Sequence, residues 1–249
     1  MEVHHHAHTP GKKWTHYLWE FIMLFFAVFC GFLAENQREH VVEHQRERQF
    51  IVSMREDLKS DTLLLNQQTR LRQQTIKRID SLIYFLKQPN PDEFGKSIYY
   101  YARSITKHYA FLSNDRTIQQ LKNAGNLRLI RNQQVSDSLM RYDYQMRRTE
   151  LTAVREENFL SAYMETMKQI FDGSEFDKMT KDAVYPAEID WNRPEDNPPL
   201  LRKDKESIQK LINDLHFVRS INIYNINWNI DMINVATRLS ELLKKEYNL

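Results

Sequence analysis

Cysteine is almost missing from this chain: Cys30 stands alone, so no intrachain disulfide can staple the fold and nothing firm follows about redox compartment. Glycine and proline are scarce as well, 5 and 7 among 249 residues, too few turn formers for a fold of many short strands. With 27% charged residues and abundant Leu, Ile, Gln, Glu, Lys and Arg, the composition favours long helices and an all-α domain. An excess of one charge is also absent. Basic residues number 35 and acidic residues 33, a net charge of +2, so no strong field points to nucleic acid or to an acidic substrate. There is no Gly-rich phosphate loop, no G-x-S-x-G elbow and no paired-cysteine zinc pattern. Tyr99-Tyr100-Tyr101 and Arg147-Arg148 come nearest to a stacking or phosphate-binding element. Aromatics at helical spacing read as core, and an arginine pair reads as a solvated face. No catalytic residue, no cofactor and no nucleic-acid partner are therefore expected.

What the chain does have is one long apolar run, Trp14 to Ala34, whose 21 residues fit a transmembrane helix. At a helical rise of about 1.5 Å per residue it spans roughly 31 Å, close to the roughly 30 Å of bilayer hydrocarbon. Lys12 and Lys13 precede it, and Trp14, Tyr17 and Trp19 form an interfacial belt at its start. Glu35, Asn36, Gln37, Arg38 and Glu39 end it. Cleavage after Ala34 would put bulky Phe32 where a small residue is wanted, so an uncleaved signal anchor fits better than a secretory signal. Arg38, Arg46 and Arg48 on the trailing flank balance the two lysines, so charge counting does not decide orientation. The short lysine-bearing tail favours a cytoplasmic N-terminus and a periplasmic C-terminal domain on a bacterial inner membrane. Glu20 is the acid within the span. Beside Trp19 and near Lys13 it reads as interfacial, with an ion path or a partner helix as the functional alternative. Ala27, Gly31 and Ala34, with Cys30 beside them, form a small-residue stripe that would let another helix approach closely.

The remaining organisation follows from breaks in an otherwise helical pattern. Residues 1–13, with His4, His5, His6 and His8, lack core-forming residues and are expected to be disordered; the histidines suggest a metal tract or a tag remnant. From Glu35 no Gly or Pro occurs until Pro89, which predicts that the membrane helix continues as a juxtamembrane stalk over residues 35–88 and packs into the bundle. Ile51, Leu58, Leu65, Ile79 and Leu86, with Met54, Ile76, Leu82 and Ile83, make its apolar stripe, and Asp61 and Arg72 interrupt it. That argues against a continuous coiled coil, although the first half keeps the option of pairing with a second copy. Residues 89–249 form the rest of an antiparallel helical bundle. A second helix is predicted behind Asp92 or Ser97, carrying Ile98, Tyr101, Ile105, Tyr109 and Leu112. A turn over 113–117 leads to a short helix at Ile118–Leu121 that ends on Ala124-Gly125-Asn126, before an apolar insert of Leu127, Leu129 and Ile130. A long helix follows over 133–171, then an irregular loop over 172–203 and a last helix over 204–247. In the loop, Tyr185, Ile189 and Trp191 suggest a lid packed over the bundle end, with a partner-binding loop as the alternative.

One motif needs weighing against its surroundings. His40-Val41-Val42-Glu43-His44 fits H-x-x-E-H, in which two histidines one helical turn apart hold a metal and the glutamate activates water. Asp57, Asp61, Glu93 or Asp115 would be needed to complete the site. The motif lies in a juxtamembrane run of alternating charge, so a solvated helix is the preferred reading, and His40, Glu43 and His44 stay weak metal candidates.

The opening KKWTHYLWEFIMLFFAVFCGFLAENQREH and the later LKNAGNLRLIRN, Leu121 to Asn132, resemble an uncharacterised family of single-pass bacterial membrane proteins found mainly in Bacteroidota. The shared elements are the lysine-bearing tail, the membrane helix, and Leu121, Gly125, Leu127, Leu129, Ile130 and Asn132 followed by Tyr142. The resemblance implies topology and a helical fold and brings no activity and no site residues. The sequence thus predicts a non-enzymatic scaffold or accessory subunit in a lipid bilayer, working through homo-oligomerisation or another membrane protein. A membrane-tethered metalloenzyme is one alternative. A periplasmic sensor is the other, and it is expected to pass its state to a separate partner through the membrane helix.

Overall fold

Helix is the only regular structure among the described residues of the computed structural model, which are 14–107, 109, 111–123, 125–180 and 191–249, less the side chains of 150 and 151. The helices are α1 (Trp14–Leu86), α2 (Gly95–Ile105), α3 (Arg116–Asn123), α4 (Gln133–Ile170), α5 (Gly173–Lys178) and α6 (Lys205–Tyr247), with 3-10 turns at Pro91–Phe94 and Asn126–Leu129. The chain divides into two compact units, Met1–Phe50 and Ile51–Leu249. The His-rich tail and most of the loop centred on Tyr185 and Ile189 lie outside the described residues.

In the first unit the helix from Trp14 to Ala34 is apolar apart from Thr15, His16 and Glu20 near its start, and none of the described residues covers it. Trp14 is 78% exposed, and Trp19, Phe21, Leu24, Phe25, Phe29 and Phe32 are exposed as well. Phe25 stacks with Phe21 and Phe29 at ring separations of 6.5 and 5.9 Å, local contacts that hide little of the apolar surface. Leaving one such side chain in water forgoes about 1.5–3 kcal/mol. This is the chain's candidate membrane span among the described residues.

The second unit is an up-down-up-down bundle. Arg72 meets Glu156 while Asp61 meets Tyr142, so α1 and α4 run the same way. Asp80 meets Arg219 while Thr69 meets Asn229, so α6 runs opposite to them. The descending second leg is made by α2, an irregular stretch and α3. Along it Ala102 meets Tyr163, Tyr109 meets Arg72, Asn114 meets Asp61 and Thr117 meets Asp57. At one end of the bundle Ile79, Leu82, Ile98, Tyr99, Tyr163, Met167, Leu211 and Leu215 form a continuous apolar core. At the other end Ile51, Met54, Leu58, Leu65, Leu121, Leu139, Met232, Ala236 and Leu239 are buried. Between the two layers the buried residues turn polar: Gln68, Arg72, Thr75, Glu156, Asn222, Asn225 and Asn229.

The local signals behave as their chemistry requires at most helix ends. Asn132 caps α4 by accepting from the Val135 N–H at 3.2 Å, and Asp204 caps α6 by accepting from the Ser207 N–H at 2.9 Å. Gly125 sits at φ 65°, the left-handed conformation that glycine adopts at least cost, and it ends α3 as its position predicts. Three expectations need correction. The second helix stops at Ile105, so Tyr109 and Leu112 lie off it. Neither Asp92 nor Ser97 caps α2: Asp92 is in the 3-10 turn, where it accepts from the Leu200 N–H at 3.3 Å, and Ser97 is inside the helix. The stretch after Asp172 is not wholly irregular, because Asp172 caps α5.

Residues 191–204 form a strap across the end of the bundle. The Lys96 N–H donates to Asn197 Oδ1 at 3.0 Å, Tyr99 Oη donates to the Pro199 carbonyl at 3.0 Å, and the Leu201 N–H donates to the Ile170 carbonyl at 2.8 Å. Gly95 makes the approach possible, since a Cβ there would lie 2.5 Å from the Pro198 carbonyl oxygen. Trp191 packs against the core with the Arg103 guanidinium 4.5 Å from its ring, in keeping with its expected role in a packed lid.

Candidate functional site

The break in the second leg explains the two polar residues that interrupt α1. Where the chain leaves helical geometry after Thr106, its backbone groups lose their intrahelical partners and need others. Arg72 Nη2 donates to the Tyr109 carbonyl at 2.9 Å. Asp61 Oδ1 accepts from the Asn114 N–H at 2.7 Å, and Asp57 Oδ2 accepts from the Thr117 N–H at 3.2 Å. The buried charges of α1 thus hold the irregular stretch in place. Asp61 and Arg72, which interrupt the apolar stripe of α1, are structural partners of a segment far along the chain, as suits a helix packed within its own domain.

Arg72 is also the centre of the polar waist. Its guanidinium grips Glu156 of α4 in a two-pronged pair, with bonds of 2.9 and 2.8 Å, and donates to Asn222 Oδ1 of α6 at 3.2 Å. Asn225 Nδ2 adds a bond to Glu156 Oε2 at 2.8 Å, and Asn222 Nδ2 donates to the Val218 carbonyl at 2.9 Å. Both members of the ion pair are buried, with side chains 5% and 3% exposed, so each depends on the other to offset lost hydration.

A cavity of about 210 Å³ opens beside this network, lined by Gln68, Tyr109, Phe111, Ala153, Asn225 and Trp228 among others. Asn225 Oδ1 and Trp228 Nε1 are enclosed there without a hydrogen-bond partner, and so is Arg72 Nε. Arg148 stacks 5.2 Å from the Trp228 ring centroid. With its ion pair self-neutralised, the cavity offers one acceptor and two donors to a small uncharged polar molecule or to water. Glu156 has both oxygens engaged, by Arg72 and Asn225.

A second cavity, of about 360 Å³, lies further along the same break, with Asp61, Asn114, Asp115, Tyr142, Asp143 and Arg147 in its lining. Tyr142 Oη donates to Asp61 Oδ2 at 2.7 Å. Burial pushes the Asp61 carboxyl above its ordinary value; the bonds from Asn114 and Tyr142 pull it back, and the nearby Asp57 and Asp115 charges reinforce the rise. The Tyr142 phenol is pushed far up by burial and by the Asp61 charge, so it stays a donor at any physiological pH. Asp143 is held by Lys122 at 3.1 Å and Arg147 at 3.0 Å.

The residues singled out in the sequence fall elsewhere. Glu20 pairs with His16 Nε2 at 3.0 Å, both about half exposed. Ala27, Gly31 and Ala34 share an open face, where a Cβ on Gly31 would meet nothing within 4 Å. His40 and His44 are exposed on α1, and His44 Nδ1 lies 3.3 Å from Glu47. The acids that would complete a metal site have other partners: Asp57 and Asp61 bind backbone, Glu93 accepts from Asn90 and Asp115 accepts from Gln119. Among the described residues no group of three His, Cys, Asp or Glu side chains is placed to hold a metal ion. Sequence reading missed Glu156, Asn222, Asn225 and Trp228 as a cluster. The signal available was the row Asn222, Asn225 and Asn229, which falls on the buried face of an otherwise apolar helix. Set against protein-family models, curated proteins and solved structures, the chain matches none of them, so its function has to be argued from this geometry.

Proposed function

We propose that the chain is a non-enzymatic single-pass protein of the bacterial inner membrane, whose helical domain lies in the periplasm and serves as a scaffold or accessory subunit. The observation that carries the proposal is the uncovered apolar segment from Trp14 to Ala34, long enough to cross a bilayer and buried by no other described residues. The pairing of the acids and bases at the polar waist supports a binding role over proton-transfer chemistry. The resemblance to single-pass membrane proteins supports the same topology.

Expressed in bacteria, the full chain should stay in the membrane after alkaline extraction, and a periplasm-dependent reporter fused after Leu249 should be active. Release into the soluble fraction would overturn the anchor, and activity of a cytoplasmic reporter would reverse the orientation. Mass measurement in nanodiscs should give a defined oligomer or a co-purified partner, and a lone monomer would overturn the scaffold reading. A second reading, a sensor that passes its state to a separate protein through the membrane helix, is favoured by the waist cavity with its unpartnered Asn225 Oδ1 and Trp228 Nε1.

A further inference from the structure

A third cavity, of about 250 Å³, lies beside the C-terminal end of α2, between α2, α4 and α5. Its walls are Met164, Met167, Phe171 and Phe176, all packed on the apolar core, and its charged lining residues are Arg103 and Lys168, with no acid among them. The two cations are not equivalent. Lys168 is already paired with Glu165 at 2.5 Å, whereas Arg103 pairs with no carboxylate of the described residues. The Arg103 guanidinium instead rests between aromatic faces, 4.5 Å from the Trp191 ring centroid and 5.7 Å from that of Phe176, and its Nε–H is enclosed without an acceptor. Stacking fixes the plane of the guanidinium and leaves the hydrogen-bonding edge of the group to be satisfied by something else.

We propose that this cavity binds a small carboxylate with an apolar body: the carboxylate oxygens accept Nη–H groups at the end of the Arg103 guanidinium, and the apolar body lies against Met164, Met167, Phe171 and Phe176. Each part of the site selects one part of such a molecule. The Nη end of the guanidinium calls for a planar anion, because it can match a carboxylate in two parallel bonds. The methionine and phenylalanine walls reject a strongly hydrated anion and adapt to an alkyl or aryl group. Among the described residues no acid lines the cavity, so its wall carries no charge that repels an anion. This site is separate from the polar waist and does not rest on the scaffold reading.

Octanoate is a suitable probe and octanol its uncharged control of the same length. With the full chain in zwitterionic nanodiscs and methionine methyls labelled with carbon-13, octanoate should shift the Met164 and Met167 signals saturably, and the remaining methionines should report that the fold is intact. Octanol should bind about ten- to a hundredfold more weakly, and Arg103→Gln should weaken octanoate by a similar factor while Arg103→Lys restores part of it. Met164→Trp should block binding by filling the cavity without altering charge, which keeps the test open if Arg103→Gln fails to fold. A second arm with oleate doped into the disc distinguishes a membrane-derived acid from a water-borne one, and a shift in either arm supports the site. Equal binding of octanol and octanoate, an unaffected Arg103→Gln variant, or no shift of the two methyls in either arm overturns the proposal.

Discussion

The bundle's two apolar ends and its polar waist solve the same problem by opposite means. At the ends, side chains such as Leu82, Leu215 and Leu239 lose water and gain packing partners, a non-directional gain that tolerates small shifts. At the waist, Arg72, Glu156, Asn222 and Asn225 are equally buried, and every bond among them depends on distance and angle. The difference is tied to the second leg. Where α2 and α3 are helical, their backbone is satisfied internally and the facing residues are apolar. Where the leg is irregular its backbone needs external partners, as do the unbonded N–H groups of the first turn of α3, and α1 supplies Arg72 and Asp61 for the one and Asp57 for the other. The waist therefore follows from the break, and the cavities lie beside it because an irregular segment fills space less completely than a helix does.

The comparison breaks first at the ion pair. Arg72→Ala leaves the Glu156 carboxylate buried without its cation, and the full chain should lose about 3–5 kcal/mol in denaturant unfolding followed by circular dichroism. Replacing both partners with apolar residues, Arg72→Met with Glu156→Leu, should cost far less than the sum of the single losses, because no buried charge is stranded. A double variant as damaged as the sum would show that the pair's geometry, and not its charge balance, holds the waist. Leu215→Ala tests the apolar end. It should cost about 2–5 kcal/mol, set by the cavity left behind, and should not depend on pH between 5 and 8.

Acid titration sharpens the contrast through Asp61, a buried acid that holds the break. The Asp61 carboxyl is raised above its ordinary 3.8 in the folded chain, chiefly by burial. The folded state therefore holds this proton more tightly than the unfolded state does. Its contribution is complete below 3.8 and declines as pH rises through the folded value. The stability difference between wild type and Asp61→Asn should accordingly shrink as pH climbs through that interval, as read by unfolding at a series of pH values. A difference that grows with pH would mean that the bonds from Asn114 and Tyr142 outweigh burial.

How much of this was legible in the sequence depends on the reach of each interaction. The apolar run at Trp14 to Ala34, the Asp204 and Gly125 helix ends and the periodic cores of α4 and α6 are set by neighbours within a few residues, and reading along the chain finds them. Arg72 and Glu156 lie 84 residues apart, and Asp61 and Tyr142 lie 81 apart, so no window of helical length contains both partners. Tyr109 and Leu112 keep helical spacing, yet the helix stops at Ile105. The Tyr109 carbonyl has a buried guanidinium to bind, and that tertiary bond replaces the intrahelical one. The Arg103 cavity was hidden for the same reason, since its walls come from α2, α4 and α5.

The smallest expected effect separates local from tertiary contributions most cleanly. Asn132 caps α4 at the apolar end, where its side chain accepts from the Val135 N–H and donates to Glu246 at 2.8 Å. Asn132→Ala should cost about 1 kcal/mol, and Asn132→Gly only a few tenths, because glycine leaves the orphaned N–H open to water. The cap shares no hydrogen-bond partner with Arg72. Combined with Arg72→Ala it should therefore add to within about 0.5 kcal/mol, whereas Arg72→Ala combined with Glu156→Ala should fall well short of additivity. Coupling between Asn132 and Arg72 beyond that margin would mean that the waist and the apolar end respond as one cooperative unit, with strain at the break carried along α4.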